Sequence, residues 1–355
     1  MEPISIMGEW WLPNSPDHKV SGKLEFDPEE GIELKLMGEL KEEDAERKER
    51  FRNKEPLQPE IILGETAEAE NITIIDCYES NRRNHRTPES HKIRLWISGQ
   101  YLIKGEHFSR KENIEFQRIT FTLPYLEKYL DFRSTYTQMM PQEEEYDRKA
   151  EFELPETLEA SLEDLELSIW FRTEGAVSDR QNISFRQEAI VQFEPESGLI
   201  GFHDSWKLGK YFGDFLSLMT AKNLDFSSAK ARTDSSARAI GVEKEEMPEI
   251  PNQVEIFSKL KLDYEEDDRF QSQIDSLVPF QHIELSFEEL IQNWFKLREE
   301  HEMFFDLYFA TRYNSSMYAN NQFLNLMQGL ESYHRGKFRG KYDGELISDL
   351  KENLE

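Results

Sequence analysis

Arg335, Lys337, Arg339 and Lys341 form the one clear concentration of cations in a chain of formal net charge −28, and Phe338 stands among them. Cations interleaved with an aromatic ring can hold a phosphate backbone while the ring stacks on a base, so these five residues are the candidate RNA-binding set. The plainer reading is an inter-helix loop whose lysines sit near a helix C-terminus. Just before them, Glu331 and His334 lie three positions apart, one carboxylate and one imidazole that a helix would place on neighbouring surface. They are the candidate acid–base residues, against the alternative of a locally satisfied polar helix edge. His334 and Arg335 are adjacent, so on a helix their side chains diverge by about 100° and do not converge on one phosphate. Trp10 and Trp11 are also adjacent; in a strand one points into the core and the other away from it, available to a ligand or an interface. Cys77, the single cysteine, follows an apolar run and reads as a packed small hydrophobe. A lone cysteine excludes a disulfide framework and a cysteine zinc site, and fits a reducing, cytoplasmic setting. No glycine-rich phosphate loop, HExxH motif or nucleophile elbow occurs, so neither a metal nor a cofactor is expected.

The elements that must carry these residues fall into two kinds. Val20, Leu24 and Phe26 precede a turn at residues 28–31, after which Ile32, Leu34 and Leu36 alternate with polar residues, predicting a hairpin with one buried face. Similar alternation recurs at residues 72–75, 93–103, 165–171 and 183–193, and residues 254–262 can add a further strand. Repeated short strands with charged connections predict a sandwich or barrel-like β architecture. A short helix is expected at residues 125–130 and a longer one at 205–219, capped by Asp204 and presenting Trp206, Tyr211, Phe212 and Phe215. Residues 222–250, rich in serine, alanine and charge, read as a long loop.

After the acidic run at residues 263–268 the period changes from two to 3.6. Ser286 and Glu289 form a capping box, and Phe287, Leu290, Ile291, Trp294, His301, Phe305 and Tyr308 line one side of the helix it starts. A second helix is expected at residues 316–334, with Phe323, Leu324, Leu326, Met327 and Leu330. A third begins after Gly340, with Leu346, Ile347, Leu350 and Leu354 on one stripe. The chain is therefore expected to be an α+β multidomain protein: a β-rich module at residues 1–262, an acidic connection at 263–284 and an all-α domain at 285–355. A bundle normally needs more helices than these, so the helical domain is expected to be incomplete and to self-associate through its uncovered stripes. No stretch is long and apolar enough for a membrane span.

The segments Gly8-Glu9-Trp10-Trp11-Leu12-Pro13, Val20-Ser21-Gly22-Lys23-Leu24, Gly31-Ile32-Glu33-Leu34 and Tyr211-Phe212-Gly213-Asp214-Phe215-Leu216-Ser217-Leu218 resemble the N-terminal domain of ApeA-type bacterial anti-phage defence proteins. The run from Phe323 to Arg335 resembles the opening of the HEPN domain that follows in that family. The resemblance implies a metal-independent ribonuclease governed by a β module that senses an unknown phage-derived or protein ligand, with RNA as substrate of the helical domain. It also implies pairing of two copies around an arginine followed, four to six residues on, by a histidine. An imidazole there moves the proton of the RNA 2′-hydroxyl, and a guanidinium stabilises the charged phosphorane. That motif would lie beyond Glu355, so this chain alone is expected to be inactive. Arg86 and His91 match the spacing, but Pro88 stands between them and they fall in a loop between predicted strands rather than late in a helix bundle, so chance is the preferred reading. The alternative from a different class is a non-catalytic adaptor, a β sandwich with a helical dimerisation tail.

Overall fold

A computed structural model describes residues 1–40, 56–86, 91–132, 135–139, 149–178, 183–236, 251–259, 275–314 and 316–338. The first half supplies strands β1 (Ile4–Trp11), β2 (Val20–Asp27), β3 (Gly31–Leu36), β4 (Ile61–Thr66), β5 (Asn71–Ile75), β6 (Tyr78–Arg86), β7 (His91–Gly99) and β8 (Tyr101–Lys104). The second supplies β9 (Glu115–Phe116), β10 (Arg118–Thr122), β11 (Thr135–Met139), β12 (Lys149–Glu153), β13 (Leu158–Leu162), β14 (Leu165–Ser178), β15 (Ile183–Pro195), β16 (Ile200–Gly201), β17 (Ser228–Ser236) and β18 (Pro251–Ser258). Among the described residues fourteen strands join in one sheet, in the order β13-β14-β15-β10-β17-β18-β8-β5-β4-β1-β2-β3-β7-β6. Neighbours in it run antiparallel.

The expected β2–β3 hairpin forms as its turn chemistry dictates. Asp27 Oδ1 accepts from the Glu29 and Glu30 amides, and Gly31 closes the turn at φ +96°, which favours glycine. In β2 and β3 the alternate residues Leu24, Phe26, Ile32 and Leu34 are buried, the period-two signature of a one-faced strand. They join Ile62, Ile74, Ile97 and Leu102 in one cluster, so both flanks of this half of the sheet enclose a common core. Trp10 fills its centre. A Cβ on Gly64 would lie 2.2 Å from the Trp10 ring, so only a glycine in β4 leaves room for the indole.

The other half is covered by helices. These are α1 (Leu126–Leu130), α2 (Phe202–Thr220), α3 (Phe287–Glu300), α4 (Glu302–Tyr313) and α5 (Ala319–Phe338). Phe212, Phe215 and Leu216 of α2 lie against Ile119, Phe121, Val191 and Phe193 of the sheet, and a Cβ on Gly209 would meet the Phe121 ring at 2.4 Å, so that glycine sets how close α2 comes. The same buried cluster takes in Ile291, Trp294 and Phe295 of α3 and Phe305 and Phe309 of α4. Helix α3 also grips the sheet edge, where Gln292 Nε2 donates to the Ser161 carbonyl of β13 at 2.8 Å.

Four expectations are corrected. Helix α2 starts at Phe202 with Gly201 as its N-cap, so Asp204 lies inside the first turn rather than capping it. The loop expected at 222–250 contains β17, whose inward residues Ala229, Ala231 and Thr233 are buried. The single helix expected from Ser286 onward is two, parted at His301 (φ −124°, ψ 36°). Arg86 and His91 are not in a loop: they are cross-strand partners at the end of the β6–β7 ladder. The third expected helix, after Gly340, lies outside the described residues. No helix among the described residues is long and apolar enough to cross a membrane.

Candidate functional site: a buried ion pair walling a cavity

Helix α2 is apolar on the side that meets the sheet, yet Asp214 stands between Gly213 and Phe215 and is 1% exposed. Two later elements bring its partners. Arg298, from the last turn of α3, is also 1% exposed and lies on the same stripe as Ile291 and Trp294, positions that a helix puts on one face. Its Nε and Nη2 are each 3.4 Å from Asp214 Oδ2. Because the chain breaks at His301, α4 returns Asp306 to the same guanidinium, Nη2 to Oδ1 2.6 Å, and Nη1 donates to the Glu302 carbonyl at 3.4 Å. Tyr313, ending α4, donates its hydroxyl to Asp214 Oδ1 at 2.7 Å, 3.3 Å from Ser217 Oγ. The Arg298 guanidinium stacks on Tyr211, 4.4 Å from the ring centroid, and Trp294 Nε1 donates to the Tyr211 carbonyl at 2.9 Å.

Burial pushes the Asp214 carboxyl above the ordinary aspartate range, while the Tyr313 hydrogen bond and the Arg298 charge oppose that rise. Burial likewise raises the Tyr313 phenol, and the Asp214 charge beside it adds to the effect. One guanidinium held between two carboxylates fastens α2 to both α3 and α4. Removing either buried partner strands a charge, so the cluster fixes how the helices sit on the sheet.

Three members of the cluster, Asp214, Asp306 and Tyr313, also line a cavity of about 860 Å³. The sheet gives its opposite wall through Ile32, Ser98, Gln100 and Tyr101, while Trp206, Asp214, Asp306 and Tyr313 line the helical side. The volume suits a small molecule or an inserted side-chain cluster. Tyr101 packs edge-on against Phe202 and Trp206, with centroids 5.0 and 5.3 Å away, so the floor is held by aromatics of both the sheet and α2.

The residues singled out from sequence lie elsewhere. Trp10 and Trp11 do point to opposite sides of β1, yet both are buried: Trp11 packs with Ile61 and Leu63, under the His107 ring and the Lys19 ammonium 4.5 Å from its own ring. Cys77 is buried in the first core with its thiol pushed up by desolvation, which leaves it unreactive. On α5, Arg335 Nη2 binds Glu331 Oε1 at 2.5 Å, and the His334 ring lies 4.9 Å from that of Phe338. Lys337 Nζ donates to the Tyr333 hydroxyl at 3.0 Å. Arg339 and Lys341 lie outside the described residues. None of the described residues among these borders the cavity. Asp214, Arg298, Asp306 and Tyr313 were missed, although a carboxylate inside the apolar face of α2 and an arginine on the buried stripe of α3 are signals that the two expect each other. Among the described residues no group of three or more His, Cys, Asp or Glu side chains is placed to hold a metal ion.

A family model described as ApeA N-terminal domain 1 matches residues 5–294, a range that ends within α3. No curated protein and no solved structure matches the chain.

Proposed function

The chain belongs to the ApeA N-terminal domain 1 family of anti-phage defence proteins, and from that premise we propose that it is the sensing and regulatory part of a HEPN ribonuclease. In this reading the cavity takes a phage-derived or protein ligand. Helices α3 to α5 open the HEPN domain and pass the state of the cavity to it. One observation carries the proposal: the cavity has a sheet wall and a wall made of α2 and α4, so an occupant touches the β-rich part and the helical segment together. A ligand that prefers one spacing of the two walls shifts the helices by its differential affinity. The RNA chemistry belongs to an arginine followed, four to six residues on, by a histidine, a spacing that occurs on none of α3, α4 and α5.

Ala310 tests it, because it lines the cavity from an exposed position on α4. In a protein that carries the complete HEPN domain, Ala310→Trp should fill the cavity mouth, leave the melting temperature unchanged and abolish protection against phage in a plating assay. Purified RNA without divalent metal should be cut by that longer protein and not by this chain. Full protection by the Ala310→Trp variant, or cleavage by this chain that disappears in His91→Ala, overturns the proposal. A second reading, a non-catalytic adaptor with a helical dimerisation tail, is favoured by the apolar stripe that α5 leaves uncovered.

A further inference from the structure

The face of the sheet turned away from α2 carries a groove of about 750 Å³. One line of residues crosses its floor. Arg118 in β10 stands directly opposite Arg232 in β17, and Glu194 in β15 directly opposite Glu166 in β14. The β10–β15 register continues to put Arg118 beside Glu194. From strand to strand the order is therefore Arg232, Arg118, Glu194, Glu166: two like-charge pairs abutting. Like charges directly opposite in a ladder destabilise a sheet, and an alternating order would have removed both repulsions. Internal compensation is present on other rungs of the same face, where Glu255 holds Lys230 at 3.0 Å and Glu188 holds Arg172. On this rung it is weak. Arg118 reaches Glu194 only at 3.8 Å, and Arg232 has no carboxylate within ion-pair distance among the described residues.

We propose that this groove binds a phosphorylated sugar, the phosphate lying between Arg118 and Arg232 and the sugar hydroxyls on Glu194 and Glu166. Side chains opposite one another in a ladder have Cβ atoms about 5 Å apart, so two guanidinium forks can grip one phosphate from both sides. Lysines could not supply that planar, bidentate geometry. Carboxylates accept from sugar hydroxyls, as acidic residues do from ribose in dinucleotide sites. Strands lie about 4.8 Å apart, so Arg118 and Glu166 are separated by about 10 Å, the reach of one sugar phosphate. A nucleic-acid strand fits poorly: the carboxylate half of the line repels the next phosphate. The site is independent of the cavity under α2, since alternate residues of β10 face the groove (Arg118, Thr120) and the core (Ile119, Phe121).

Calorimetric titration with ribose 5-phosphate, inorganic phosphate and ribose tests this. Ribose 5-phosphate should bind, and the Arg118→Gln/Arg232→Gln double variant should bind it at least about tenfold more weakly, the loss expected when charge-assisted hydrogen bonds go. Glu194→Gln should weaken ribose 5-phosphate and leave inorganic phosphate unchanged. Arg118→Gln alone should melt no lower than the parent, because it relieves a repulsion. Absence of binding at millimolar ribose 5-phosphate, equal binding by the double variant, or a double variant that fails to fold each overturns the proposal, the last by showing that the arginines serve the fold.

Discussion

At the scale of single residues, the cap and the ion pair show two kinds of polar order. The Ser286 capping box depends on neighbours three positions apart, and both of its hydrogen bonds form: Ser286 Oγ accepts from the Glu289 amide at 3.2 Å, and Glu289 Oε2 accepts from the Ser286 amide at 3.0 Å. Asp214 and Arg298 are 84 positions apart and meet only through packing. Their energetic consequence follows from burial. Because the folded Asp214 pKa is raised, the folded state holds this proton more tightly than the unfolded chain. The stability linked to it is fully present below the unfolded carboxylate pKa, and is lost as pH rises from there through the raised folded value. In urea melts, wild type should therefore compare best with Asp214→Asn near pH 4 and worst near pH 7. An advantage that grows from pH 4 to pH 7 would mean that the Arg298 charge, and not burial, governs the carboxyl. Arg298→Met, which leaves Asp214 buried without its cation, should destabilise by about 3 kcal/mol at pH 7.

At the scale of elements, burial patterns explain which segments were recognisable. β17 escaped notice because its inward residues are alanine and threonine, too small to register as an apolar alternation although their period is two. The break at His301 was hidden because α3 and α4 both place aromatics at helical spacing, so one stripe runs through the turn. Helix α5 presents the opposite case. It packs on α4 through Gly329, where a Cβ would lie 3.3 Å from the Phe304 ring, while Phe323, Leu324, Leu326, Met327 and Leu330 remain between 37% and 63% exposed. Such a stripe recruits a partner surface. Sedimentation velocity at tens of micromolar should show association of the chain. Phe323→Ser/Leu330→Ser should shift it to monomer and change stability by no more than about 0.5 kcal/mol, the range of surface substitutions. A monomeric parent would remove the reason to assign this stripe a partner.

At the scale of the whole molecule, the sheet and the helices that follow it share apolar contacts: Phe295 of α3 packs against Phe193 of β15 and Tyr211 of α2, and Trp294 against Phe215. Residues 285–314 should therefore melt together with the second half of the sheet. Differential scanning calorimetry should give no separate transition for them, and Trp294→Ala should lower the main transition, since a buried tryptophan truncation costs about 3–5 kcal/mol. A distinct helical transition, untouched by Trp294→Ala, would instead mark an independent domain beginning near residue 285. The sequence by itself determined the net charge of −28 and the local order: the turn at Gly31, the one-faced strands, the capping box and the amphipathic helices all rest on residues within a few positions of one another. Its motifs also carried the family. Only the tertiary structure decided that Trp11 is covered, that Asp214 and Arg298 meet beside a cavity, and that Arg118 faces Arg232. Each of those depends on strand order and helix docking, which bring together residues whose spacing along the chain contains no trace of their contact.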